Sequence, residues 1–389
     1  MLLFCFKRSY LKMRVAMQTK PLFAIITLIV LLCCGITTHD NQGSAYTSSN
    51  NLNPENASVA DVPEVIQPDW EELWRTADDI HPDYFLADPR FIDVHDGAVL
   101  VGDFRGERPL WIFNATDGSF EQHVGEEGSG PGQIEWLGSF HIIQDEYIAL
   151  RDVQNQLLSI FDRDTGTFMH RVNVPVPFQP GIGNAKIVRR PSDPNVLAHA
   201  HALQINEDER IVIDELAWEV QLSEFGDAFV PFEENFVAKK GPTVLDEGTA
   251  YMGFEHASHI VAISETGEVV FNTSAPHDVN PPDFLGAREG VDMMEPPRNV
   301  YPTMTLRLDT DNQYVYALHS GAVVNEENDM QDVLTSTRVD VFDKETGAYQ
   351  FQFTLPFPVH DLEIDSDRVY LLALSQGGAV AFEKPEMLL

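Results

Sequence analysis

The chain has 389 residues, 61 of them acidic and 25 basic, for a net charge of −36. A surface that acidic repels nucleic acid and anionic lipid headgroups, which excludes both as partners. All three cysteines, Cys5, Cys33 and Cys34, precede residue 35, so disulfides, thiolate metal sites and a cysteine nucleophile are excluded from the rest of the chain.

In chain order, a basic stretch from Lys7 to Lys20 precedes an apolar run from Leu22 to Cys34. Its 13 residues are too few to span a bilayer comfortably and match the hydrophobic region of an export signal. Met17 offers an alternative start that leaves an ordinary signal. Cys33 and Cys34 are followed by Gly35 and a polar stretch, which resembles a lipoprotein-type signal over residues 1–34 with one of the two cysteines lipidated. A cleaved soluble signal and an uncleaved N-terminal anchor are the alternatives. Residues 35–69 are expected to form a flexible tether, and residues 36–62 are rich in Ser, Asn and Thr. Loss of the leader removes five cations and no acid, taking the net charge from −36 to −41. Only 8 of the 25 basic residues are lysines, and that balance points to high salt, where ions screen self-repulsion.

From residue 70 onward one pattern recurs, which is the mark of a repeat architecture. Its first half is an alternating strand, a tight turn holding Asp, Gly or Asn, and a more uniformly apolar strand. Six copies occur, at 90–104, 139–153, 186–202, 242–256, 306–320 and 360–376. Its second half is a hairpin, at 110–124, 157–172, 218–232, 259–274 and 338–353, whose turn carries Gly118, Gly166, Gly226, Gly267 or Gly347. The β-branched and aromatic content at short length marks antiparallel strands. Two hairpins make a four-stranded sheet, and such sheets bury their faces by packing radially. The sixth copy has only GAVAFEKP (378–385) after its first hairpin, and EELWRTA (71–77) is the natural donor of the missing outer strand. The expected fold is all-β: a six-bladed β-propeller of four-stranded antiparallel blades over residues 70–389, its last blade closed by an N-terminal strand. Trp70, Trp74, Trp111, Trp136 and Trp218 are assigned to packing between blades.

The segments VGDFRGERPLWIF and ALRDVQNQLLSIFD resemble the NHL-type propeller repeat, and GEEGSGPGQIEW (125–136) resembles the glycine-rich connector of six-bladed propeller lipoproteins, NHL-like or TolB-like, of Bacteroidetes-like bacteria. The likeness covers residues 70–385 and is clearest in the first two blades. The resemblance implies that Asp103 and Asp152 accept backbone N–H bonds in the turn after the second strand, with Asn155 in that turn. Blades 3, 4 and 5 lack these residues.

In a propeller the loops after strands two and four gather at one mouth of the central channel. Two long connections fall on that side, 274–302 and 319–337, and either can serve as a lid. Ligand-binding candidates are Arg105, Arg151, Arg189, Arg190, Arg307, His201 and His256; Arg189, Arg190 and Arg307, near inner-strand positions, suit an anion-compatible mouth. His199 with His201, and His256 with His259, each offer two imidazoles, but no third zinc ligand accompanies them. Lactonase-like propellers, which this chain resembles in blade number, hold a divalent cation with inner-strand Glu, Asn and Asp; the sequence shows no such set. No Gly-x-Ser-x-Gly elbow, phosphate loop or calcium loop is present. No catalytic residue, metal or cofactor is therefore assigned. The reading is a noncatalytic binding or scaffolding protein, a monomer held at the cell envelope by a lipid anchor in the periplasm or at the outer membrane, with a protein, peptide or glycan as ligand. The alternative is a metal-dependent hydrolase or lyase, which requires at least three carboxylate, Asn or His side chains converging at the mouth.

Overall fold

The computed structural model describes residues 65–76, 86–173, 178–180, 186–189, 195–205, 210–224, 241–255, 257–276, 303–322 and 334–389. Two short strands open the described chain, β1 (Val65–Ile66) and β2 (Glu72–Arg75). Blade 1 follows as β3 (Pro89–His95), β4 (Ala98–Asp103), β5 (Leu110–Asn114) and β6 (Phe120–Val124). A parallel two-stranded ribbon, β7 (Glu126–Glu127) and β8 (Gln133–Ile134), leads to blade 2: β9 (Leu137–Ile143), β10 (Tyr147–Asp152), β11 (Leu157–Asp162) and β12 (Phe168–Asn173). Blade 3 holds β13 (Phe178–Pro180), β14 (Lys186–Arg189), β15 (Val196–Ile205) and β16 (Ile211–Gln221). Blade 4 is β17 (Thr243–Asp246), β18 (Thr249–Phe254), β19 (Ala257–Ile263) and β20 (Val269–Ser274). Blade 5 is β21 (Thr303–Thr310), β22 (Tyr314–Ala322), β23 (Ser336–Asp343) and β24 (Tyr349–Val359), and blade 6 is β25 (Asp361–Ile364), β26 (Arg368–Ala373) and β27 (Gly378–Glu383).

All six predicted first hairpins form, and their turns follow from local chemistry. Asp96 and Gly97 both take positive φ, 49° and 75°, and Glu247 and Gly248 repeat this at 45° and 83°. Two consecutive left-handed residues bend the chain in the sense that matches strand twist. The second strand of each blade is sandwiched between its neighbours: β4 is buried along its whole length, whereas β12, at the outer edge, keeps every residue at least partly exposed.

The closure of the last blade is as the sequence implies, with β2 antiparallel to β27 in a sheet ordered β2-β27-β26-β25. Strands of neighbouring blades meet at their inner edges, β25 against β3, β3 against β9, β9 against β13, and β21 against both β17 and β25. Each described seam is a separate apolar cluster. Leu100, Ile112, Ile142 and Phe161 join blades 1 and 2, Trp218 and Phe254 join blades 3 and 4, and Tyr316, Phe353 and Leu371 join blades 5 and 6.

Two blades depart from four simple strands. Blade 5 has a fifth, because Val65–Ile66, assigned by sequence to the end of the tether, pairs in parallel with β24 at Gln352 and Phe353. Trp70 secures this segment by donating its indole N–H to the Thr354 carbonyl (3.1 Å) and packing its ring against Phe353 and Phe382. In blade 3, β13 adds a strand on the far side of β14, and β15 and β16 extend their hairpin through Leu203–Ile205 and Ile211–Ile213. The expected outer strand of that blade, with Gly226, lies outside the described residues. No helix among the described residues is long and apolar enough to cross a membrane.

Candidate functional site

The mouth of blades 1 and 2 is set by the two aspartates that end their second strands. Asp103 accepts the backbone N–H groups of Ala87 (2.7 Å) and Asp88 (2.8 Å), and so pins the chain where it enters β3. Asp152 does the same for Glu135 (3.0 Å) and also holds its own turn through Gln154 and Asn155, whose side-chain amide returns a bond at 2.8 Å. Backbone donors reach both oxygens of each buried carboxylate, which suits Asp, an acceptor at both oxygens, and not Asn, whose amide nitrogen only donates. These roles are structural, as the NHL-like resemblance implies.

On this frame a layer of guanidinium and aromatic groups assembles. The Arg90 guanidinium lies 4.2 Å from the Phe104 ring centre, and Arg105 lies 5.1 Å from Phe104 and 4.6 Å from Trp136. The two rings are 6.0 Å apart. Asp88 fixes Arg90 with two hydrogen bonds, at 2.9 and 2.8 Å. Arg307 reaches from blade 5 past blade 6: it pairs with Asp361 at 3.3 Å, donates to the Arg90 carbonyl at 3.2 Å and sits 5.7 Å from the Phe91 ring. Arg105 is exposed, and among the described residues its guanidinium has ring contacts but no ion pair or hydrogen bond. Cation–aromatic contacts of this kind contribute about 0.5–1 kcal/mol at exposed sites and leave the guanidinium N–H groups able to donate.

Below this layer the inner strands carry four carboxyl groups, Asp93 on β3, Asp309 on β21, and Asp361 and Glu363 on β25. Asp309 accepts the Ile364 N–H, fastening blade 5 to blade 6, and Asp361 accepts the Ile92 N–H (3.1 Å), fastening blade 6 to blade 1. Burial pushes all four upward; Asp93 and Asp361 reach about 6. Mutual repulsion adds to this, and Arg307 opposes it at Asp361. Burial and crowding therefore favour protonated carboxyls in the quartet above the usual carboxylate range. Its deepest oxygens accept backbone N–H groups, at Asp309 from Ile364 and at Asp361 from Ile92 and Leu362, and Arg307 is ion-paired with Asp361. Among the described residues no group of three or more His, Cys, Asp or Glu is placed to hold a metal ion.

The sequence candidates separate accordingly. Arg105 and Arg307 meet in the mouth layer. Arg151 faces inward beside His141, where burial holds the Arg151 guanidinium below its usual value and takes His141 down to about 3, leaving that imidazole neutral. His201 packs edge-on against His199, ring centres 5.1 Å apart, as alternation along β15 implies. Arg189 is described only by its backbone, the last residue of β14. Arg190, His256, Cys33 and Cys34 lie outside the described residues, as do 277–302 and 323–333 of the two long connections. Trp70, Trp74, Trp111 and Trp218 pack against apolar clusters between strands, whereas Trp136 belongs to the mouth. Arg90 and the acidic quartet were missed. The available signal was acid side chains alternating with Ile, Val or Leu in three inner strands: FIDVH, LRLDT and DLEI.

A family described as a six-bladed β-propeller, DUF5128, matches residues 81–207, about a third of the chain. The fold is a six-bladed β-propeller. No curated protein matches the sequence. Similar solved structures include a Bacteroides fragilis protein provisionally described as exported, 11% identical, covering 84% of this chain and 97% of that one with a TM-score of 0.46. The Neurospora crassa Pan2 WD40 domain is 11% identical over 83% of this chain and 89% of its own, with a TM-score of 0.45. BamB from Moraxella catarrhalis is 10% identical over 75% and 71%, with a TM-score of 0.37.

Proposed function

We propose that this propeller is a noncatalytic binding or scaffolding protein of the cell envelope, exported and lipid-anchored through Cys33 or Cys34, that takes a protein, peptide or glycan at its channel mouth. The observation that carries the reading is Arg105, an exposed guanidinium laid against Phe104 and Trp136 with no ion pair or hydrogen bond among the described residues. Such a group recognises a carboxylate through paired hydrogen bonds, or a planar group by stacking. Residues 35–64 are the tether, and the acidic surface suits high salt. NHL-like or TolB-like lipoproteins of Bacteroidetes-like bacteria are the proposed relatives, and the chain is proposed to act as a monomer.

The test is a binding screen of the detergent-extracted full chain on arrays of acidic peptides and acidic glycans, with Arg105→Ala and Trp136→Ala beside the native chain. The expected result is one ligand class whose binding falls about tenfold or more in both variants, equal to at least ~1.4 kcal/mol, with thermal stability unchanged. Binding that is indifferent to both substitutions overturns the mouth assignment. Metal analysis of the same preparation addresses the hydrolase or lyase alternative, since a stoichiometric divalent ion would replace the noncatalytic reading. Incorporation of labelled fatty acid, lost in Cys34→Ser or in Cys33→Ser, tests the anchor.

A further inference from the structure

The four described outer-hairpin glycines stand at positive φ, and at three of them a neighbouring blade supplies a ring. A methyl group on Gly118 would come within 2.5 Å of the Trp74 ring, and one on Gly347 within 2.5 Å of the Phe271 ring. At Gly267 the neighbour is Trp218, 2.9 Å at its Cβ and 3.2 Å at its ring. Gly166, in blade 2, is different. Its nearest neighbours are the His123 carbonyl oxygen at 3.4 Å and the Gln122 side-chain oxygen at 3.6 Å.

Strand register shows why. Phe271 pairs with Ala262 and Gln122 with Ile112, in each case just before a bulge in the outer hairpin; Trp74 pairs with Ala381 beside the irregularity of β2. Gln122 thus occupies the place held by a ring in blades 4 and 6. Its amide donates to the Arg163 carbonyl (3.1 Å), so it bonds to the turn of blade 2 without filling the space. Beside Gln122, on the rim between blades 1 and 2, is an open cavity of about 670 Å³, with Phe120, Phe161 and Phe168 in its walls and Glu121, His123 and Glu126 among its polar groups.

We propose that this cavity binds an aromatic side chain, flanked by basic residues, on a partner protein. The propeller itself shows what the notch accepts, since an indole or phenyl ring lies at the equivalent place in three other described seams. The phenylalanine walls offer edge and face contacts to such a ring. Glu121 and Glu126 supply the charge that selects lysine or arginine beside it; the Glu126 side chain is 63% exposed even while paired with Arg108. Phe104, Arg105 and Trp136 do not line this cavity, so the site does not depend on the assignment of Arg105.

The experiment titrates the full chain with acetyl-Lys-Trp-Lys-amide by saturation-transfer NMR and calorimetry, against acetyl-Lys-Ala-Lys-amide and a methyl glycoside. The tryptophan peptide is expected to bind in the millimolar range and the alanine peptide not to bind. Gln122→Phe, which supplies the missing ring, is expected to weaken the tryptophan peptide about tenfold. Glu126→Lys, which leaves the cavity intact, is expected to weaken it about threefold at low salt. No binding of the tryptophan peptide, equal binding by Gln122→Phe or Glu126→Lys, or binding of the glycoside in its place would overturn the proposal.

Discussion

The seam between blades 6 and 1 and the seam between blades 1 and 2 use equivalent strands, yet one is sealed and the other hollow. At the first, Trp74 lies against Gly118, donates its indole N–H to the Ala115 carbonyl (3.0 Å) and packs with Val99, Trp111 and Tyr370. At the second, Gln122 reaches the Arg163 carbonyl and leaves a cavity beside three phenylalanines. The first closes the ring by noncovalent pairing of the N-terminal segment with the last blade, so a loose fit there would open the whole propeller. The second joins blades continuous in sequence, whose inner clusters hold without a plug at the rim. Repetition therefore repeats the backbone turn at each of these seams, while a ring fills it at the seams of blades 6 and 1, 3 and 4, and 4 and 5 and is replaced by Gln122 between blades 1 and 2.

The largest effect separating the seams should come from Trp74→Ala, which removes a nearly buried indole from the closing strand. It is expected to cost ~3–5 kcal/mol in urea unfolding, while Gln122→Ala is expected to cost under ~1 kcal/mol, as for a site already open. Similar losses at both would remove the distinction. Next comes the glycine pair. Gly118→Ala strains a left-handed residue, φ 73°, and drives a methyl into Trp74; Gly166→Ala, φ 64°, meets nothing closer than 3.4 Å. The expected costs are ~2–4 kcal/mol for the former and ~1–2 kcal/mol for the latter.

A third prediction concerns the inner edge of the blade 6 to blade 1 seam, where the carboxyl quartet crowds. Asp93 and Asp361 release protons at about 6 in the folded chain, against 3.8 for a free aspartate. Between those values the folded state binds more protons than the unfolded state, so stability falls as pH rises from about 4 to 6, and the raised Asp309 and Glu363 act in the same sense. Asp309→Asn removes one negative charge and keeps an oxygen for the Ile364 N–H. It is expected to raise stability at pH 8 by ~1–2 kcal/mol and to make the pH 4 to 6 decline shallower; unchanged urea midpoints across that range would show that the carboxyls are not competing. The smallest effect is a gain: Gln122→Phe, filling the rim cavity, is expected to add ~0.5–2 kcal/mol, read as a raised melting temperature.

Much of the architecture was legible from the chain. Asp96-Gly97 and the GAVAFEKP remnant declare a hairpin and an incomplete blade by local rules, and the missing strand in 71–77 followed from counting. Asp103 and Asp152 were readable because their bonds reach residues nearby in sequence or within the same blade. The fifth strand at Val65–Ile66 was not, since its partner lies 287 residues away and a two-residue strand carries no periodic signal. At the mouth, Arg105 and Arg307 stood out as cations near turn and inner-strand positions, but Arg90, Phe104 and Trp136 did not, because nothing in the sequence says that blades 1, 5 and 6 converge there.

By itself, then, the sequence determined what depends on short-range chemistry: strand alternation, turn residues, blade number and the need for an N-terminal strand to complete blade 6. Only the tertiary structure decided which residues of different blades face each other: that Arg105 lies between Phe104 and Trp136, that Asp93, Asp309, Asp361 and Glu363 share one crowded inner edge, and that Gln122 leaves open a notch that rings fill elsewhere. The physical reason is that alternation specifies which face of a strand a side chain occupies, whereas its neighbour across the seam is set by radial packing, which carries no local signature.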